Sequence, residues 1–252
     1  MIPYERRQRI LEELERKEVM ELDELSEALH SVSKSTLRRD LKTLSDEGQV
    51  VLLRGGGVKL TQGSSDTPVK SRVIFCVKEK DVIAMRAAEL VKDGEVIYVD
   101  AGTTTGRMIK YLKDKYITVV TSNTFILDDL AGCRFDCILL GGHVNKATYS
   151  VAGAITDNLL REMHFDKAFI GASGYDLITG VNTPDYAEAN KKRLVKANSR
   201  ETYVLADSSK EGKTTMCSVF DLTGITLITE KISDNMAEKV QHIIARGDDQ
   251  AE

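Results

Sequence analysis

Apolar residues recur at helical spacing through the first part of the chain and gather into strand-like runs after residue 95. Ile10, Leu11 and Leu14 share one face of a helix expected from about Tyr4 to Lys17. Leu22, Leu25 and Leu29 mark a second helix. Leu37, Leu41 and Leu44, at i, i+4 and i+7, mark a third. Ser33 suits the N-cap of that third helix, because its hydroxyl accepts from an unpaired backbone N–H. Gly48 suits the position just past a helix running to about Glu47. Val50 to Leu60 reads as two strands around a Gly55-Gly56-Gly57 tip. Two leucine-lined helices joined by a short turn, then a glycine-tipped hairpin, outline a winged helix-turn-helix.

A polar, turn-rich stretch, Gly63-Ser64-Ser65-Asp66-Thr67-Pro68, separates this texture from the next. Beyond it a helix is expected at about Asp81 to Lys92. Strands are expected at Val96–Val99, Ile117–Thr121, Cys137–Leu140, Ala168–Gly171, Thr202–Ala206 and Ile225–Thr229, and a terminal helix from Asp234 to Ala245. Strands alternating with amphipathic helices point to a parallel sheet covered by helices. The expected organisation is a DNA-binding head over residues 1–60, a linker over 61–75 and an α/β domain over 76–252.

Composition narrows this reading. A chain of 252 residues that is 42% hydrophobic and 29% charged suits two globular domains rather than a disordered or fibrous protein. The net charge of -4 excludes a wholly basic coat for nucleic acid but not a local basic face. That face exists: from residue 30 to residue 60, Lys34, Arg38, Arg39, Lys42, Arg54 and Lys59 outnumber Asp40, Asp46 and Glu47, after an acidic first stretch. The N-terminus lacks the layout of a signal peptide, and no apolar run approaches the ~18 residues of a membrane span, so a cytoplasmic protein is expected. Cys133 and Cys137 have no second pair and no histidine at ligand spacing, so neither a metal site nor a cofactor is expected.

On the third helix, Ser35, Arg39 and Lys42 lie opposite the leucine stripe, flanked by Lys34, Thr36, Arg38 and Thr43. Arginine can pair bidentately with guanine in a major groove, while serine, threonine and lysine hold phosphates. The plain alternative is a solvated basic face. In the second region, Val96–Val99 runs into Asp100-Ala101-Gly102-Thr103-Thr104-Thr105-Gly106. Such a turn either cradles an anion on backbone N–H and threonine groups or merely reverses the chain. Polar clusters follow other strands at Asn123, Gly141-Gly142, Ser173 and Lys210, at the edge where open α/β sheets bind ligands. Glu188 and Lys192 are i, i+4 on a helix: a surface ion pair, or a carboxylate for sugar hydroxyls with a cation for phosphate.

Val32-Ser33-Lys34-Ser35-Thr36-Leu37-Arg38-Arg39-Asp40-Leu41 closely resembles the helix-turn-helix signature of the DeoR family of bacterial repressors. The resemblance implies that Ser35, Thr36, Arg38 and Arg39 lie at or beside DNA, with Asp40 orienting an arginine. The wing departs from the family pattern, offering Arg54 but no histidine before its glycines. Asp100–Thr104, Gly141-Gly142, Gly171–Gly174, the Glu188/Lys192 helix and Asp207-x-Ser209-Lys210 resemble the family's sensor domain, whose Rossmann-like fold is similar to ribose-5-phosphate isomerase. This implies Gly102, Thr103 and Thr104 as phosphate-binding residues, beside Asp100. It implies Asn123, Ser173, Glu188, Lys192 and Lys210 as further pocket residues. Thr121-Ser122-Asn123-Thr124-Phe125 and Glu211 depart from the family's usual residues and bear on which sugar fits. The function expected is a homodimeric or homotetrameric repressor that binds operator DNA and answers to a phosphorylated sugar. The alternative is a sugar-phosphate isomerase with an appended interaction domain, using Asp100 and Glu188 as acid and base.

Overall fold

The computed structural model describes residues 2–17, 19–29, 32–46, 49–60 and 69–247, without the side chains of residues 15, 16, 70 and 71. The chain divides into two compact units, Met1–Phe75 and Cys76–Glu252.

In the first unit the elements are α1 (Pro3–Arg16), β1 (Met20–Glu21), α2 (Leu22–Ala28), α3 (Lys34–Asp46), β2 (Val50–Leu52), β3 (Gly57–Leu60) and α4 (Val69–Val73). The leucine stripes of the three longer helices close on one core: Ile10, Leu11, Leu14, Leu25, Leu37, Leu41 and Leu44 are buried together with Val50 and Val58 of the hairpin. Strands β2 and β3 pair antiparallel, and β1 adds to the far side of β3. Gly55 and Gly56 both carry a positive φ, which lets the chain reverse at the hairpin tip. The expected linker needs correction. Val69 is buried in α4, and Ile74 and Phe75 pack against the core of the first unit, so residues 69–75 belong to that unit. Residues 61–68, and Glu47 and Gly48 at the expected end of α3, lie outside the described residues.

The second unit runs α5 (Val77–Glu89), β4 (Val96–Val99), α6 (Thr103–Gly106), α7 (Ile109–Leu112), β5 (Thr118–Thr121), β6 (Asp136–Leu139), β7 (His143–Asn145), β8 (Ser150–Ala152), α8 (Ala154–Glu162) and β9 (Phe165–Gly171). It continues with β10 (Gly174–Asp176), β11 (Gly180–Thr183), α9 (Tyr186–Ala197), β12 (Ser199–Leu205), β13 (Cys217–Phe220), β14 (Thr226–Thr229), α10 (Asp234–Ala237) and β15 (His242–Ile244). Seven strands form one sheet in the order β15-β14-β12-β9-β4-β5-β6, every neighbouring pair parallel.

Alternate residues of these strands feed two cores, as period-two geometry requires. Ile97, Val99, Phe169, Leu205 and Ile228 pack with Ile83 and Ala87 of α5 on one face. Tyr98, Ile170 and Val120 pack with Leu160 of α8 and Val195 of α9 on the other. The sheet is therefore covered on both sides. From β4 the chain moves outward through β5 and β6, then returns to β9 on the other flank of β4. The strand order thus reverses between β4 and β9, the position where such sheets open a crevice at their carboxyl ends.

The expected terminal helix is cut short. Met236, Val240 and Ile243 mimic a helical stripe, but α10 is a single turn, and His242–Ile244 extends to pair with Leu227–Thr229. An unpaired edge of β14 gives this segment a full ladder, which outweighs its weak local helix preference. Two additions went unread: the β7–β8 hairpin and the small sheet β10-β11-β13.

Candidate functional site

Helix α3 is built as its sequence asks. Ser33 accepts from the backbone N–H of Thr36 at 3.3 Å, and Leu37 closes the first turn on Ser33 O at 3.0 Å. With Leu37, Leu41 and Leu44 buried, Ser35, Arg38, Arg39 and Lys42 stand exposed and Thr36 half-exposed. Among the described residues neither Arg38 nor Arg39 has an acidic partner. Lys34 does: its ammonium lies 2.7 Å from Asp23 at the start of α2, an exposed pair of small worth. Arg54 is exposed at the hairpin tip. Arg38 and Lys42 also line a groove of about 750 Å³ between α3, the start of α2 and the hairpin. Asp40 does hold an arginine, but one on α1: Arg6 donates to its two oxygens at 2.5 and 3.1 Å. This buried carboxylate braces α3 from behind, leaving its outer face open.

In the second unit the sheet topology carries most of the candidate residues to one edge. Asp100 and the Gly102–Thr104 turn follow β4, and Asn123 follows β5. Gly141 and Gly142 follow β6, Ser173 follows β9, and Lys210 sits in a short 3-10 turn after β12. At the β4/β9 crossing the two loops approach closely: a side chain added at Gly102 would come 3.7 Å from Gly171 Cα and 2.9 Å from Thr105 Oγ1. Asp100 is fully buried there. Its Oδ2 accepts from Gly171 N at 3.0 Å and from the Lys192 ammonium, which also donates to Gly171 O at 2.9 Å. Burial pushes this carboxyl up, but Lys192, with Lys191 behind it, outweighs that and holds it below its ordinary value. Asp100 stays ionised.

Two buried polar atoms here have no partner: Asp100 Oδ1 and Thr104 Oγ1. The backbone N–H groups of Thr103 and Thr104 also make no hydrogen bond among the described residues. Orphaned buried groups of this kind are uncommon, and each costs ~1–3 kcal/mol. Helix α6 spans only one turn, so individual N–H and hydroxyl groups, rather than a long helix dipole, would meet an anion.

Not every expected grouping forms. Glu188 and Lys192 make no pair with each other. Glu188 instead accepts from Lys191 at 2.8 Å and from Ser150 of β8 at 2.6 Å, while Lys192 turns to Asp100. Lys192 is thus an internal counter-ion, not an exposed cation. Lys191 is fully buried and also donates to Ser150 Oγ and Val151 O. Sequence reading passed over it, although its i, i+3 spacing from Glu188 was the available signal. Asn123 is buried and spends its Oδ1 on Phe125 N, capping the 3-10 turn after β5. Gly141 is exposed. Gly142 is forced by packing, because a side chain would meet Thr156 Oγ1 at 2.2 Å and Ala152 O at 2.9 Å. Ser173 is half-buried, its N–H bonded to Asn182 O. Lys210 stands 3.6 Å from Asp207, whose buried carboxyl is pushed up by desolvation but held low by Lys210, by a hydrogen bond from Ser209 and by Lys80.

A separate cleft of about 960 Å³ opens among the β10–β11 turn, the loop after β12 and α10; of the residues singled out from the sequence it is lined by Glu211 and by none of the expected phosphate-site or pocket residues. The four cysteines are half-buried and unbridged. Among the described residues no cluster of His, Cys, Asp or Glu could hold a metal ion, and no helix is long and apolar enough to cross a membrane.

Comparison with known proteins matches residues 6–62 to the DeoR-like helix-turn-helix domain and residues 76–231 to the DeoR C-terminal sensor domain. The chain is 35% identical to the HTH-type transcriptional regulator FruR of Bacillus subtilis, over 95% of its own length and 97% of that protein's. It is 31% identical to the HTH-type transcriptional regulator GolR of Listeria innocua (95% and 93% covered) and 30% identical to GlpR of Haloferax volcanii (90% and 89%). Among solved structures, ribose 5-phosphate isomerase A of Methanocaldococcus jannaschii aligns with a TM-score of 0.39 and 22% identity, covering 52% of this chain and 53% of that one. That likeness is partial.

Proposed function

The chain belongs to the DeoR family of DNA-binding transcription regulators, and from that premise we propose that it represses sugar-metabolism genes and loosens its hold on DNA when a phosphorylated sugar binds the second unit. Two copies of the head would read half-sites about one helical turn apart, or a multiple of it. Arg38 and Arg39 meet base edges, while Lys34, Ser35, Thr36, Lys42 and Arg54 hold phosphates.

The observation that carries the ligand reading is the orphaned pair Asp100 Oδ1 and Thr104 Oγ1 beside the unbonded N–H groups of Thr103 and Thr104. Gly102, Thr103 and Thr104 would receive the phosphate. An ionised Asp100 repels an anion but accepts a hydroxyl, so a ligand with both groups fits better than phosphate alone. Asn123, Gly141, Gly142, Ser173, Glu188 and Lys210 frame the same edge. Lys192 acts through Asp100, keeping that carboxylate charged. The engagement of Asp100 by Lys192 and Gly171 disfavours a role in proton transfer, which speaks against the isomerase alternative.

A ligand shifts the balance between DNA-competent and DNA-released arrangements only by its difference in affinity for the two. Thermal-shift measurement against sugar phosphates and their unphosphorylated forms tests the ligand class. A phosphorylated ligand at a hundred times its Kd should add about 2.7 kcal/mol of stability. No shift across the panel would reject the class. Thr103→Ala with Thr104→Ala is expected to leave operator binding intact and remove the metabolite response, and a normal calorimetric titration in that variant would dismiss the phosphate turn. Operator affinity should also fall steeply from 50 to 200 mM salt as condensed counterions are released, roughly tenfold or more for every few phosphate contacts. A flat salt profile in filter binding would contradict phosphate contacts by the head.

A further inference from the structure

Strand β6 ends the sheet, and nothing among the described residues pairs with its outer side. Asp136 N and Leu140 N donate inward to Ile117 O and Thr121 O of the β5 segment. In a parallel ladder alternate residues face the neighbour, so the N–H and C=O groups of Cys137 and Leu139 point away from the sheet. Their side chains do not protect this edge. Ile138 and Leu139 are 44% and 39% exposed on opposite faces of the strand. Natural edges are blunted by lysine, proline or a bulge. Here the register with β5 is regular, and the one charge on the strand is Asp136 at its start. The opposite edge differs: His242, Ile243 and Ile244 of β15 are all half-buried.

The surface beside β6 is also apolar. Thr156 of α8 donates to Gly141 O at 2.8 Å, seating that helix next to the end of the strand. Its Ile155 and Leu159, one turn apart, are exposed, as is Val144 of β7. Ile138, level with Val120 of the core that α8 covers, adds to this apolar surface, while Leu139 exposes a second apolar spot on the other face of the strand.

We propose that β6 pairs antiparallel with β6 of a second copy of this chain about a twofold axis through Ile138, joining the two sheets into one. This register is self-complementary, as a twofold interface must be. Cys137 of one copy faces Leu139 of the other and exchanges both backbone bonds with it, while Ile138 faces its own copy as the close, non-hydrogen-bonded pair, Cα atoms about 4.5 Å apart. Asp136 falls opposite Leu140 of the second copy, so no like charges meet. The apolar side chains on both faces then continue across the join. The proposal supplies the second copy that two-headed DNA reading calls for, and rests on that reading only for this consequence.

Sedimentation equilibrium of the full chain, without DNA or metabolite, provides the test. Wild type is expected as a dimer or an even-numbered larger assembly. Ile138→Glu, which sets two carboxylates face to face on the axis, should halve the mass while far-UV circular dichroism stays unchanged. Ile138→Cys changes less and guards against misfolding. Facing cysteines in such a pair lie within disulfide reach, so a copper–phenanthroline oxidant, taking up two electrons per bridge as both thiol protons leave, should yield a covalent dimer that wild type does not form. A wild-type monomer, its edge covered by a segment of its own chain, overturns the proposal. So does an unchanged mass in Ile138→Glu, or an Ile138→Cys protein that runs as a monomer on non-reducing gels. All of these readouts are taken without DNA or metabolite, so failure of the β6 pairing is distinguishable from failure of the DNA-reading or ligand assignments.

Discussion

Asp100→Ala is expected to destabilise the second unit by about 3–5 kcal/mol, because removing one partner of a buried ion pair strands the other. Lys192 would keep Gly171 O but lose its counter-ion in a site without solvent. For a unit of this size each kcal/mol moves Tm by about 2–4 °C, so the fall should be roughly 6–20 °C. Asp100→Asn retains an acceptor for Gly171 N and should lie between. The pH dependence has a definite sign. The carboxyl is depressed in the folded protein, so its stabilisation is complete above its unfolded value near pH 4 and is lost as pH falls through the folded value. The Tm gap between wild type and Asp100→Ala should therefore be full at pH 7 and shrink on acidification. Scanning calorimetry showing no gap at pH 7, or one that widens toward pH 3, would remove the buried pair from the account of stability.

Replacing Arg38 and Arg39 together by alanine should weaken operator binding on the order of a hundredfold or more, since an arginine bonded to a base edge is worth ~1–3 kcal/mol. Both side chains are exposed and lack acidic partners among the described residues, so the fold should survive and the loss should fall on recognition. Lys42→Ala is a useful contrast. A phosphate contact carries no sequence information, so that variant should lose affinity about equally for all sequences and reduce the salt slope by ~1. Fluorescence anisotropy at one fixed salt concentration separates the cases. An Arg38→Ala/Arg39→Ala protein that holds its operator as wild type does would displace α3 as the reading element.

The parts of the molecule that announce themselves in the sequence are those whose signal is local. Leu37, Leu41 and Leu44 specify the buried face of α3, and therefore its open face, through helical periodicity alone. The six expected strands of the main sheet appear because each is a compact apolar run. Strand β15 escaped because its side chains also satisfy a helical stripe, and only the open edge of β14 decides between the two. Within the site, local sequence brought Gly102, Thr103 and Thr104 to notice. The partnership of Asp100 with Lys192 joins residues 92 positions apart, and no spacing rule reaches that far. The i, i+4 rule pointed Lys192 toward Glu188; burial beside Asp100 offered a stronger counter-ion, and the adjacent Lys191 took Glu188 instead.

The brace between Arg6 and Asp40 also limits how this head can be exchanged with those of its relatives. A graft that imports only α2, α3 and the hairpin would transplant a desolvated carboxylate whose cation was left behind on α1. Any exchange of the proposed reading helix must therefore carry α1 with it, so that Asp40 arrives together with Arg6.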